Sequence, residues 1–373
     1  MKTNTITRRR VVTSPGTPLP LRPARTRPAP SAHQVQQSWQ SAEAWMTTLH
    51  DVMYESAEAP GKLGEAAGWQ LSGDAKRIRA RLALAAGHAL GADLNQVVRV
   101  AAAVELLHEA SLVHDDLQDR DELRRGKSTV WVEYGDELAI TLGDWLINQA
   151  YDVIMQMDAD PAVVLRLTRS MSKAVADTVR GQAVENGAKS DLSTSCSDYI
   201  DMATGKTAPL LAFPLEAVAL LSGRSERERV AIRNGLECLG GAYQLRDDLI
   251  DLLGQKGRGL AGADLIEGKA TLPALIYYQN ANDLERHDLE TFLSGTVEQR
   301  TAAAQLWSAK LVESAAFDEV CGTVDGLIAM GYETMEAAPH AVTLLVKSVF
   351  GRLLAPVQRP EQSPVAALAG QRA

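Results

Sequence analysis

An all-α fold is what this 373-residue chain predicts, on three observations. Its 46% hydrophobic content comes with only 5% aromatic residues, so the core must be built mainly from Ala, Leu and Val, an alphabet that favours helices. From about Ala42 to about Leu354 apolar residues recur at helical period, and short Gly- or Pro-marked turns separate the segments. No sustained alternation of period two argues for strands. A chain of this length can bury a sizeable core as one large domain, and we place that domain at residues 41–355, with a flexible tail at 356–373.

The first 40 residues are different in kind: six prolines, seven Lys or Arg and no acidic residue. Such a stretch cannot bury enough apolar surface to offset its ordering entropy, so a disordered tail is expected over residues 1–40. It has no apolar stretch of the secretory type; an Arg-rich, acid-free start loosely fits an organelle transit peptide, although its prolines disfavour an amphipathic helix. Without the tail, 31 basic residues face 47 acidic ones, a balance that makes nucleic acid an unsuitable partner.

The next signal is basic. In GDAKRIRAR, Lys76, Arg77, Arg79 and Arg81 stand at the start of a helix, where the macrodipole disfavours cations and free N–H groups favour anions. A bound anion accounts for that placement better than helix stability does, with a solvated basic face as the alternative.

Two copies of Asp-Asp-Xaa-Xaa-Asp follow: Asp115, Asp116 and Asp119 in HDDLQD, then Asp247, Asp248 and Asp251 in RDDLID. Each lies in an apolar run of helical period, so its first and last aspartates share one helix face. Leu112, Val113 and Leu117 flank the first copy and Leu249, Ile250, Leu252 and Leu253 the second, which would bury both helices on most sides. Carboxylates so placed cost several kcal/mol per unpaired ion, and a hard cation such as Mg²⁺, held through oxygen with water and phosphate completing its shell, would compensate. Two such helix faces imply a metal-bridged diphosphate. His108 lies on the same helix face as Asp115 and Asp119, and Gln244 on the same face as Asp247, Asp248 and Asp251. Pro209 in GKTAP has no N–H, so the carbonyl of Gly205 loses its helical partner and a kink is expected there, beside Lys206 and Thr207. The Gly-rich stretch GQKGRGLAGADLIEGK could close over a bound substrate. Cys196, Cys238 and Cys321 stand far apart without metal-ligand spacing; a reducing cytoplasm is the expected compartment, and the absence of any run of 18 apolar residues predicts no transmembrane segment.

With the two aspartate motifs, RRG after the first and EGKATLP after the second, the chain resembles a trans-isoprenyl diphosphate synthase of the polyprenyl synthetase family, by motif over roughly residues 60 to 280. The resemblance is most like a bacterial-type geranylgeranyl diphosphate synthase. It implies a homodimeric, isoprenoid synthase-type helical bundle around a central cavity, in which an allylic diphosphate ionises and isopentenyl diphosphate adds to it. It further implies that three Mg²⁺ ions are held by the six aspartates, and that Lys76, Arg79, His108 and Arg125 bind isopentenyl diphosphate. Arg124, Lys206 and Lys269 would bind the allylic diphosphate, with Thr207 and Gln244 beside the reacting carbons. Two departures stand out: Asp74-Ala75 where two glycines are usual, and Leu260 where the family has a lysine, a loss that either Lys256 or Arg258 makes good or that weakens diphosphate binding.

No protein nucleophile is needed for such chemistry, and no Ser-His or Cys-His arrangement is evident. A class I terpene cyclase would use the same metals but a single diphosphate, and a noncatalytic partner subunit would have no use for both aspartate trios. For product length, the family's pocket floor corresponds to Ala110 and Ser111, both small, with Leu107, Leu106 and Ala103 deeper. That pattern implies geranylgeranyl diphosphate, with farnesyl or longer polyprenyl diphosphates as alternatives.

Overall fold

Helices follow one another through residues 32–188, 190–255 and 261–359, which are those this computed structural model describes. In order they are α1 (Ala32–Ala44), α2 (Met46–Ala57), α3 (Lys62–Leu71), α4 (Ile78–Leu90), α5 (Leu94–Asp119), α6 (Val130–Tyr134), α7 (Asp136–Met155) and α8 (Pro161–Ala188). Then come α9 (Cys196–Leu221), α10 (Glu226–Leu252), α11 (Ala263–Ile266), α12 (Leu272–Asn280), α13 (Asp283–Ser294), α14 (Val297–Glu313), α15 (Ala315–Thr334) and α16 (His340–Leu353). The all-α expectation holds. None of the described helices is long and apolar enough to cross a membrane.

Local chemistry sets the limits of the long helices. Asp93 caps α5 by accepting from the Asn95 amide, and Ser225 with Glu228 forms a reciprocal capping box at the start of α10. α5 stops at Arg120, which adopts a left-handed conformation (φ 58°) and returns its N–H to the carbonyl of Asp116. The core lies where α5, α9 and α10 meet their neighbours: α5 packs on α4 and α7, and α9 lies between α8 and α10. Small side chains let α4 and α5 approach closely, since Ala83, Ala85, Ala86, Ala101, Ala102 and Ala103 are all fully buried.

Two features depart from the sequence reading. α1 begins inside the stretch expected to be a tail, because Ser38 and Ala42 are buried and Val35 and Trp39 pack on the core; residues 1–31 lie outside the described residues. The chain also forms a minimal hairpin after α5, β1 (Leu123–Arg124) with β2 (Lys127–Ser128), turned by Arg125 and Gly126 at φ 53° and 77°. Positive φ at both central residues is the geometry of a type I′ turn, and strands of two residues are too short to leave a period-two signal.

Candidate active site

A cavity of about 360 Å³ opens between α5, α8 and α9, with Arg79 of α4 and Ile147 of α7 completing its wall. It brings together seven residues singled out from the sequence: Arg79, Leu107, His108, Ser111, Asp115, Lys206 and Thr207. Helical spacing explains the α5 contribution, since Leu107, His108, Ser111 and Asp115 fall on one face. Ala110 does not line it: one residue from Ser111, it is turned fully into the core. α10 adds Gln244, whose side-chain oxygen accepts the Thr207 hydroxyl at 3.1 Å.

Glycines make the α8–α9–α10 contact possible. A Cβ on Gly181 would lie 2.4 Å from the Lys206 amide nitrogen, and one on Gly240 would lie 2.7 Å from the Ala208 Cβ. The middle of α9, where Pro209 removes a donor, is therefore gripped by helix backbones on two sides. α9 continues as one helix through both Pro209 and Pro214.

The acidic side of the cavity is unequal in character. Burial pushes the Asp115 carboxyl up; the Lys206 ammonium opposes this, and Asp119 and Glu185 add to it. Asp116 instead is buried and accepts Arg124 Nε at 2.6 Å, so Arg124, expected on substrate, here neutralises the middle aspartate of its own motif. In the second motif Asp248 and Asp251 are buried. Asp248 accepts the Tyr199 hydroxyl at 2.7 Å, and Asp251 accepts the Asp264 amide at 3.0 Å while its carbonyl receives the amides of Gly254 and Gly262. Asp247 is half-buried on the Gln244 face of α10.

Cations answer these charges. Lys206 Nζ donates to Glu185 at 2.5 Å, a partner on α8 that the sequence reading missed. Burial acts to lower the Lys269 ammonium, but Asp264, Glu267 and Asp119 outweigh it and hold the group above its usual range. Lys269 lies 2.7 Å from Glu267 and 3.6 Å from Asp264. Gln182 and Asn186 both donate to Gln118 at the cavity mouth, at 3.1 and 3.0 Å. Gly181, Gln182, Glu185 and Asn186 repeat at helical spacing, a signal that could have drawn attention to this face of α8.

The basic stretch before α4 divides three ways. Arg77 adopts a left-handed conformation (φ 47°) and turns inward, 2.5 Å from Glu109 and 3.4 Å from Glu105. Arg81 pairs with Glu43 at the surface. Lys76 stays exposed, and Arg79 reaches the cavity, its Nε buried without a hydrogen-bond partner among the described residues. Burial lowers the His108 imidazole well below its usual range, and the guanidiniums of Arg79, Arg125, Arg77 and Arg124 push it the same way. His108 is thus neutral, amid positive charge. Arg124 and Arg125 also line a smaller cavity of about 170 Å³ beside Gly73 and Asp74, and Arg125 lies 3.9 Å from the buried Glu109. Lys256, Arg258 and Leu260 lie outside the described residues.

The donor set suits a hard cation. Asp115 and Asp119 stand one turn apart on α5, repel each other and offer oxygen only, which matches an ion that keeps several waters. Among the described residues no three Asp, Glu, His or Cys side chains are grouped so as to hold an ion.

Comparisons with known proteins agree with this architecture. The geranylgeranyl pyrophosphate synthase of Geoglobus acetivorans is 30% identical over 292 residues, 78% of this chain and 87% of that protein. The farnesyl diphosphate synthase of Geobacillus stearothermophilus is 37% identical over 239 residues, 61% of this chain and 80% of its own length. A polyprenyl synthase from Caulobacter crescentus, solved in complex with calcium and isoprenyl diphosphate, superposes with a TM-score of 0.75 at 25% identity, covering 87% of this chain and 98% of that one. The family model described as Polyprenyl synthetase matches residues 62–309, through every cavity helix from α5 to α10, and the chain belongs to that family.

Proposed function

We propose that this chain is a prenyltransferase that condenses isopentenyl diphosphate with an allylic diphosphate and releases geranylgeranyl diphosphate. The observation that carries the reading is the presence of two opposed charge environments on and beside one apolar cavity, lined by Asp115 and Lys206 on one side and Arg79 and His108 on the other. Asp115 and Asp119 with Lys206 and Lys269 suit a metal-bound diphosphate, while Arg79, His108 and Arg125 suit a second diphosphate without metal. A cyclase has no use for the second. The Caulobacter neighbour, solved with a divalent ion and an isoprenyl diphosphate, supports the pairing of ion and substrate.

Asp115, Asp119 and Asp247 would hold Mg²⁺, and the bound ions supply Lewis-acid stabilisation of a departing diphosphate. Lys206 and Lys269 place fixed positive charge where the leaving oxygens develop negative charge. Glu185 holds Lys206 in place, as Arg124 and Tyr199 hold Asp116 and Asp248. Thr207 and Gln244, joined by their hydrogen bond, present oxygens toward the carbons that become electron-poor. Leu107, Leu112, Val175 and Leu210 exclude water from that cation. Released diphosphate is the base that takes the final proton, so no side chain is consumed. Ser111, small and on the cavity wall, leaves room for a chain beyond fifteen carbons, and the enzyme would act as a homodimer in the cytoplasm.

The test is direct. Purified protein incubated with Mg²⁺, isopentenyl diphosphate and each allylic starter should give a twenty-carbon diphosphate, and D115A, D247A or EDTA should abolish turnover. A product that stops at fifteen carbons under excess isopentenyl diphosphate overturns the length, and full activity in D115A or without metal overturns the mechanism.

A further inference from the structure

A second, larger cleft lies away from the aspartates, where the first half of α8 meets the end of α9 and the start of α10. It encloses about 790 Å³ and is lined by four guanidiniums, Arg166, Arg169, Arg224 and Arg229, against two carboxylates, Glu216 and Glu226. Both carboxylates are engaged: Glu226 pairs with Arg229 and Glu216 accepts Arg233 at 2.9 Å, and Glu228, outside the lining, lies 3.9 Å from Arg224. Arg166 and Arg169, one turn apart on α8, have no ion-pair partner among the described residues, and the Nε atoms of both Arg224 and Arg229 are buried with no hydrogen-bond partner there. Buried donors on charged groups normally find acceptors, and guanidiniums crowded into one cleft repel one another unless an anion joins them. The acidic body of the chain makes this local excess of positive charge stand out. Between the arginines the floor is apolar, formed by Val163, Leu167 and Leu220.

We infer that this cleft binds a phosphate or diphosphate group carried on a short apolar chain, with the planar forks of Arg166, Arg169 and Arg224 on the oxygens and the chain on the Leu167–Leu220 floor. It is a site separate from the central cavity and shares no lining residue with it. Such a ligand is of the class the proposed reaction makes, which would let product report its own concentration to α8 and α9, the helices that also carry Glu185 and Lys206.

Titration calorimetry in EDTA with a non-ionisable thio analogue of farnesyl diphosphate tests this on the full chain. R166E/R169E, which alters exposed residues only, and separately R224Q, should each weaken one binding event roughly tenfold or more, with the thermal midpoint unchanged in the first. Inorganic diphosphate should bind the same site more weakly than the analogue. An isotherm unaltered by both variants overturns the site, equal affinity for inorganic diphosphate overturns the apolar component, and displacement of the analogue by phosphatidylglycerol vesicles overturns a soluble ligand in favour of a lipid headgroup. The wild-type-to-variant difference is read without turnover, so it stands or falls apart from the chemistry of the central cavity.

Discussion

Replacing Gly181 by Ala should damage stability and turnover together, and the structure sets the scale. The new Cβ would lie 2.4 Å from the Lys206 amide nitrogen and 2.7 Å from the Gly205 carbonyl carbon. Non-bonded heavy atoms rest at about 3.5 Å or more, so α8 and α9 must part by roughly 1 Å at the crossing. The obstacle is helix backbone, which cannot rotate away as a side chain could. Overpacking of this kind costs about 1–3 kcal/mol, equivalent to a fall of several degrees in midpoint for a large domain. Displacing catalytic groups by about 1 Å can also cost on the order of a hundredfold in rate. Gly187 provides the control: it lies on the same helix, and a Cβ there meets nothing within 4 Å. G187A should therefore be neutral or stabilising by up to about 1 kcal/mol, as Ala is the better helix former. Differential scanning calorimetry and steady-state kinetics on both variants decide the matter. A G181A protein that melts and turns over like wild type would refute the close crossing.

Tyr199→Phe leaves the buried Asp248 carboxylate without its hydroxyl donor, which should cost about 1.5–3 kcal/mol, the range for hydrogen bonds to charged groups; an unchanged denaturant midpoint would show that the bond carries no weight. S111F and A110F should separate cleanly. Phe at the cavity-lining Ser111 should shorten the product, whereas Phe at the fully buried Ala110 should chiefly destabilise, by about 1–3 kcal/mol, and product sizing beside thermal melts would expose the reverse pattern. Because His108 is held well below the usual imidazole range, the unfolded chain takes up a proton below about pH 6.5 that the native state refuses. Its contribution to stability is complete above that pH and declines as pH falls, so H108Q should flatten the acid limb of stability between about pH 7 and 5. Parallel curves for the two proteins would sink that assignment.

What the sequence makes legible here is whatever depends on spacing along one helix. The α5 face carrying His108, Ser111 and Asp115, and the α10 face carrying Gln244 and Asp247, follow from a period of 3.6 residues. What stays hidden is which charge meets which. Arg77 and Arg79 are two residues apart and look alike as text, yet one is turned into the core against Glu105 and Glu109 while the other reaches the cavity. That choice is made by α5 and not by α4. The same holds for Arg124 on Asp116, Lys206 on Glu185 and Tyr199 on Asp248, each fixed by contact between separate elements. Ala110 and Ser111 show the limit from the other side, since one step along a helix rotates a side chain by about 100°, enough to exchange cavity for core.

The partnered charges bear on how one cavity can hold two anions. On the acidic side Lys206 is bound to Glu185, Lys269 to Glu267 and Arg124 to Asp116. An incoming diphosphate there meets groups already compensated, so an additional cation is needed to make binding favourable, which is the arrangement that would make that half of the cavity metal-dependent. Arg79 and His108 stand differently: the Arg79 Nε has no acceptor among the described residues, and burial first, with the positive groups around it second, holds the His108 imidazole well below its usual range. A diphosphate entering that side supplies the missing acceptor itself. The two halves would therefore sort otherwise similar substrates by whether they arrive with metal, before any carbon atom is compared.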